Sequence, residues 1–169
     1  MLKIKSYSCI CIVLASYFLF VSCKSADDSQ ENIGIRFTIQ AAESDRVDVY
    51  YSYSKDSVFS EKRKKSMSYE GGNVQFIQFT LPKSKLESFR IDFSNNPLQK
   101  QCILSEIMIT YNQKELKITP ELLPIFFTLN EYLSYIPETG ALTISEVNGR
   151  KDPYLTAKPL LIKRIEIDY

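Results

Sequence analysis

An all-β fold is what this chain predicts: a single antiparallel β-sandwich, jelly-roll-like, of about eight strands with one short helical crossover. Three observations point there. From Ile33 onward apolar and polar residues alternate with period two, the signature of half-buried strands. Turn-forming residues interrupt that alternation at short, regular spacing, as sandwiches and jelly rolls require. A length of 169 residues suits one domain with a core of its own, and only five glycines occur, none in a nucleotide-binding fingerprint.

The elements follow in order. Ile33, Ile35, Phe37, Ile39 and Ala41 share one side of the first strand, with Gly34, Arg36, Thr38 and Gln40 on the other. After the turn at Glu43, Ser44 and Asp45, the side chains of Val47, Val49, Tyr51 and Tyr53 repeat the pattern and place Tyr50 outward beside Asp48 and Ser52. Gly71-Gly72 is a hairpin turn leading into a strand over 73–81, which Pro82 stops. Phe89, Ile91 and Phe93 alternate with Arg90 and Asp92. A longer strand spans 103–111, and Asn112-Gln113 turns it tightly into 114–118. Residues 120–135 read as the crossover. Thr119 is placed to cap a helix, Pro120 fits its first turn and Glu121 favours its N-terminus, but Pro124 interrupts it. Strands over 141–147 and 160–169 close the domain, the last with Ile165, Ile167 and Tyr169 aligned.

The N-terminal segment has a different chemistry. Lys3 and Lys5 precede a largely apolar run over 10–21, which ends at Ser22-Cys23. A short basic stretch, an apolar run and a small residue at the break describe a secretory signal, and the run falls short of the ~20 apolar residues a spanning helix needs. The residues Phe20-Val21-Ser22-Cys23 resemble the bacterial lipobox, with Phe20 where the family usually carries Leu or another aliphatic residue. The resemblance implies cleavage before Cys23, diacylation of its thiol and acylation of its new amine. An ordinary cleaved signal or an uncleaved anchor is the alternative. Residues 1–22 are thus read as signal, 23–32 as lipidated cysteine and acidic tether, and 33–169 as the sandwich. Asp27-Asp28 in the tether resembles the export signal of some Gram-negative surface lipoproteins, and a plain solvated linker is the other reading. The expected address is the bacterial cell envelope, lipid-anchored at the outer membrane.

Charge and cysteine content narrow the function. The formal charge is +1, and it becomes −1 once Lys3 and Lys5 leave, which gives no case for nucleic-acid binding. Without a single histidine the chain lacks the usual neutral-pH general base and the commonest metal ligand. If Cys9 and Cys11 depart and Cys23 is lipidated, Cys102 remains alone, unable to form an intramolecular disulfide and read as a buried structural thiol. Three carboxylate pairs, Asp45/Asp48, Asp92/Glu106 and Glu166/Asp168, could supply the two acids of glycosidic hydrolysis, but each reads as solvated surface charge. Asp92, Asn95 and Asn96 offer oxygens for calcium, though Ser94 to Pro97 equally makes a plain turn. The run of four cations within 61–65 reads as a solvated, mobile loop.

The run FRIDFSNNP at 89–97, followed by ILSEIMITYN at 103–112 and KEL at 114–116, is similar to galactose-binding-like, carbohydrate-module β-sandwiches of bacterial envelope proteins. That resemblance covers about a sixth of the chain and implies a glycan-binding sandwich. Tyr50 is the residue named for it, because a flat ring flanked by polar groups is what a pyranose stacks on. The expectation is a non-enzymatic envelope lipoprotein without cofactor, held to the bilayer through Cys23 and binding a glycan or envelope component. The alternative is an assembly lipoprotein acting through a sheet edge or through Ile125, Phe126 and Phe127. A carboxylate-based glycoside hydrolase ranks third.

Overall fold

The computed structural model describes residues 32–53, 58–83, 86–93 and 96–168. The signal, Cys23 and nearly all of the tether lie outside them. Two antiparallel sheets enclose one apolar core, so the all-β sandwich with a short helix is the observed fold. The first sheet contains β1 (Asn32–Ala41), β4 (Val74–Pro82), β6 (Gln101–Leu104), β7 (Ile107–Tyr111), β8 (Lys114–Ile118), β10 (Leu133–Ile136) and β11 (Ala141–Ile144). The second runs β3 (Lys64–Tyr69), β2 (Asp45–Ser52), β5 (Ser88–Asp92), β12 (Tyr154–Ala157), β9 (Phe127–Leu129).

The period-two reading of β1 holds residue by residue: Ile33, Ile35, Phe37, Ile39 and Ala41 are all buried. β4 pairs along the whole length of β1 on one side, from Asn32↔Pro82 to Gln40↔Val74. The other side of β1 is shared. β6 takes Ile39 to Ala41 and β7 takes Gly34 to Arg36. The expected long strand over 103–111 is therefore two strands, broken at Ser105-Glu106. Ser105 bridges the break: its N–H donates to Thr38 O at 3.1 Å and its Oγ accepts from Thr38 N–H at 3.0 Å. Beyond that point the sheet forks, one branch continuing through β11 to β10 and the other to β8. Asn112 and Gln113 hold φ of 48° and 64°, the left-handed pair that a two-residue hairpin demands between β7 and β8. Gly140 (φ 69°) closes the turn before β11, and a Cβ there would stand 2.4 Å from Leu104 O.

Three expectations are corrected. Residues 160–169 were read as a strand, but Pro159–Asp168 is a helix. Lys158 C=O accepts from Leu161 and Ile162 N–H, and Leu161, Ile162 and Ile165 pack into the core while Ile167 is exposed. Those three positions fall on one helical face, whereas a strand would have buried Ile165 and Ile167 together. The crossover over 120–135 is shorter than read. A 3-10 turn Pro120–Leu122 runs into the single-turn helix Leu123–Phe126, and the chain then enters β9 and β10. The basic run over 61–65 is not a loose loop: Glu61–Arg63 form a 3-10 turn and Lys64 opens β3. Among the described residues twelve strands stand where about eight were expected: β3, β9, β10 and β12 are added, one strand is split and the expected last strand is a helix.

Candidate functional site

β2 and β5 are central strands of the second sheet, so their alternation sets two faces. Val47, Val49, Phe89 and Ile91 point into the core. Asp48, Tyr50 and Ser52 lie on the outer face, as the sequence predicts for Tyr50, but that face is not open. Asp48 is 2% exposed and Ser52 is fully buried. The register explains the crowding. Asp48 lies opposite Asp92, Tyr50 opposite Arg90, and Tyr154 of β12 opposite Asp92 on its other side.

Arg90 is the centre of this cluster. Its guanidinium sits 4.8 Å from the Tyr50 ring centroid, 4.3 Å from that of Tyr154 and 5.4 Å from that of Phe59, and its Nη2 pairs with Asp92 Oδ2 at 2.7 Å. Planar guanidinium groups stack well on aromatic faces, so the cation holds both tyrosines in place. Asp48 Oδ2 is answered by Arg46 Nε at 3.2 Å and Lys64 Nζ at 3.8 Å. Tyr50 Oη donates to Glu61 Oε1 at 2.6 Å, and Lys64 donates to Glu61 at 2.5 Å. The Lys64 and Tyr50 hydrogen bonds hold the Glu61 carboxyl below its usual range. Burial pushes Asp92 up to about 6, against the pull of Arg90. Asp48 Oδ1, Asp92 Oδ1 and Arg90 Nε are buried and find no hydrogen-bond partner among the described residues.

Tyr50 is thus half-buried, with Arg90 and Lys64 lying over its ring, and the exposed platform expected of it is not what the fold builds. The open part of the same face lies further along, beyond Tyr154. There a groove of about 930 Å³ is lined by Ser88, Thr128, Thr156 and Tyr154 together with the apolar side chains of Leu129, Ile162 and Ile167. The helix Pro159–Asp168 supplies Lys163 and Glu166 to its wall. Thr156 and Thr128 are register partners across β12 and β9, so their hydroxyls stand side by side. Two lysines, 158 and 163, and two glutamates, 87 and 166, border the groove and balance in charge. Its volume falls in the range of about 300–1,000 Å³ typical of small-ligand sites.

The other sequence candidates fall elsewhere. Asp45 accepts from the N–H groups of Arg46 and Asn96, and Glu106 pairs with Lys117 at 2.5 Å on the other sheet. Asp92 and Glu106 are therefore not brought together; the structure sets Asp48 against Asp92 instead. Glu166 lies on a helix rather than a strand, and the Asp168 side chain is outside the described residues. Asn95 also lies outside them. Asn96 is used by its turn, with Nδ2 donating to Ser44 O and Oδ1 accepting from Leu98 N–H. Among the described residues no group of three or more acidic, cysteine or histidine side chains could hold a metal. Cys102 is a buried free thiol, pushed up to about 12 by burial. Ile125 is exposed but Phe126 is only half-exposed and Phe127 is buried, so these three form no common apolar patch.

Tyr154, Thr156 and Thr128 were not singled out from sequence. Their signal was the alternation of Tyr154, Leu155, Thr156 and Ala157, which is only four residues long and set off by Pro153 and Pro159. No family model, curated protein or solved structure matches this chain.

Proposed function

We propose that this protein is a non-enzymatic lipoprotein of the bacterial envelope, anchored through acylated Cys23, whose second sheet binds a neutral glycan. The groove beside Tyr154 carries this reading. The paired Thr128 and Thr156 offer donors and acceptors to sugar hydroxyls, and a half-exposed Tyr154 ring backed by Arg90, beside the apolar Leu129, Ile162 and Ile167, offers a stacking surface that is already held in place. The balanced charges at its border favour an uncharged, hydroxylated ligand over a polyanion. The carboxylates Asp48 and Asp92 do not line the groove and are engaged by Arg46, Lys64 and Arg90, while Glu87 and Glu166 border it. Tyr50 contributes as a support for Arg90 rather than as the platform.

Two measurements test this. On a glycan array the intact protein gives saturable binding to neutral oligosaccharides, and Tyr154→Ala weakens it about tenfold, the equivalent of ~1.4 kcal/mol of lost stacking. Equal binding by the variant removes the groove from the account. For the anchor, Cys23→Ala abolishes metabolic labelling with a fatty acid and moves the protein out of the membrane fraction, because several acyl chains are what make such anchoring stable. Unchanged labelling in that variant would end the lipoprotein reading.

A further inference from the structure

The helix Pro159–Asp168 turns one face into the core and leaves the opposite face uncovered. Leu161, Ile162 and Ile165 are buried. At about 100° per residue, the four positions furthest from them are Leu160, Lys163, Arg164 and Ile167. All four are exposed, Leu160 at 51% and Ile167 at 67%. They include no acid, and Glu166 stands to one flank, toward the groove. Leucine and isoleucine on a surface helix, flanked by cations whose stems lie along apolar surface while their charges reach outward, suit the boundary between acyl chains and headgroups. Ten residues are too few to cross a bilayer, so such a helix lies along it.

We propose that this stripe rests on the bilayer in which Cys23 is anchored, with Leu160 and Ile167 at the acyl boundary and Lys163 and Arg164 against anionic headgroups. The inference rests on the lipoprotein reading of Cys23, and position is what selects the bilayer as occupant. The chain enters the domain at Asn32 and Ile33, and Ile33 lines a small cavity with Lys83, Leu86, Ile162, Ile165 and Glu166. The helix is thus packed at the entry end of β1. It is about 15 Å long, so its outer face stays close to that entry. The eight residues 24–31 between the acylated cysteine and β1 span at most about 30 Å. Exposed apolar residues of the first sheet lie at the other end of β1. Val74 and Ile103 are both register partners of Gln40, about 24 Å along the strand from Ile33. Charge agrees with position, because basic side chains beside an apolar stripe are drawn to anionic lipid. The anchor already holds the domain at the surface, so a contact too weak to recruit it from solution is enough to orient it. Lys163 and Ile167 also border the groove, so its mouth opens beside the headgroups.

The full acylated chain, reconstituted into vesicles of phosphatidylcholine and phosphatidylglycerol, tests this. An environment-sensitive fluorophore is attached at single exposed positions, Leu160→Cys and Ile167→Cys on the stripe and Phe76→Cys on the first sheet, while Cys102 is buried. Acrylamide should quench the stripe labels about threefold less than the Phe76 label, and a quencher carried on the acyl chains should reach the stripe labels alone. Lys163→Glu should restore acrylamide quenching at Ile167. Leu160→Cys and Ile167→Cys report independently, so a folding defect in one leaves the other to decide. If the acylated chain floats with the vesicles but its stripe labels are quenched as freely as the Phe76 label, the inference is overturned and the anchor stands. A chain that takes up no fatty acid and does not float removes the anchor, and the inference with it. Stripe labels shielded from acrylamide yet untouched by the lipid-borne quencher would assign the face to a protein contact and also overturn it.

Discussion

The outer faces of the two sheets arise from the same alternation and behave as opposites. On the first sheet, outward side chains are dispersed. Arg36 pairs with Glu115 at 2.6 Å while both remain well exposed, at 39% and 49%, and Phe76 faces solvent. On the second, the outward residues of β2, β5 and β12 converge on Arg90, and Asp48 is almost wholly buried. What separates them is what lies above the sheet. Phe59 and the 3-10 turn Glu61–Arg63 bring an aromatic ring and an acid over β2 and β5. An outward position is thus no guarantee of exposure, and an ion pair has different energetics on each face.

The largest test of that contrast is Arg90→Ala. It leaves Asp92 buried without its cation and two tyrosines without their packing partner, so about 3–5 kcal/mol of stability should be lost. Urea denaturation would read this directly, and a loss no larger than that of an exposed pair would mean the second face is as loose as the first.

A smaller effect follows from Asp92. Its carboxyl is raised to about 6 in the folded protein, so the folded state binds a proton more tightly than the unfolded chain. Stability from this group is therefore greatest in acid and falls as pH rises from about 4 to 6. Moving from pH 7 to pH 5 should raise stability by about 1 kcal/mol, and Asp92→Asn should flatten the dependence in that window. A variant that keeps the full pH slope would assign the effect to another group. Glu61 has the opposite sign, since its lowered carboxyl loses its contribution only as pH falls through the acid range.

The smallest effect belongs to the first sheet. Arg36→Ala breaks an exposed pair and should change stability by less than about 1 kcal/mol, with a further reduction in high salt. Arg90→Ala and Arg36→Ala together should be close to additive, because the two sites share no partner. Marked coupling between them would show that the sheets communicate through the core.

Alternation was legible where a strand is long and one face is buried. Nine residues of β1 and the facing of Tyr50 against Val49 could be read without coordinates, as could the Asn112-Gln113 hairpin, whose backbone demands are local. The last element is ambiguous in sequence. Ile165 and Ile167 satisfy period two, while Leu161, Ile162 and Ile165 satisfy period 3.6, and over ten residues both patterns fit. The short strands β9 and β12 offered too few residues for any period to register, and they carry Thr128, Tyr154 and Thr156.

By itself, the amino-acid order determined the fold class, the facing of the long strands and the absence of histidine chemistry, because side-chain direction in a strand depends only on parity. Only the tertiary structure decided that Tyr50 is covered, that Asp48 meets Asp92 across β2 and β5, and that the open groove lies at Tyr154. Those facts depend on which strands become neighbours and on what the connecting segments lay over them. Such pairings join residues as far apart in the chain as Gly34 and Thr110, and no local pattern encodes them.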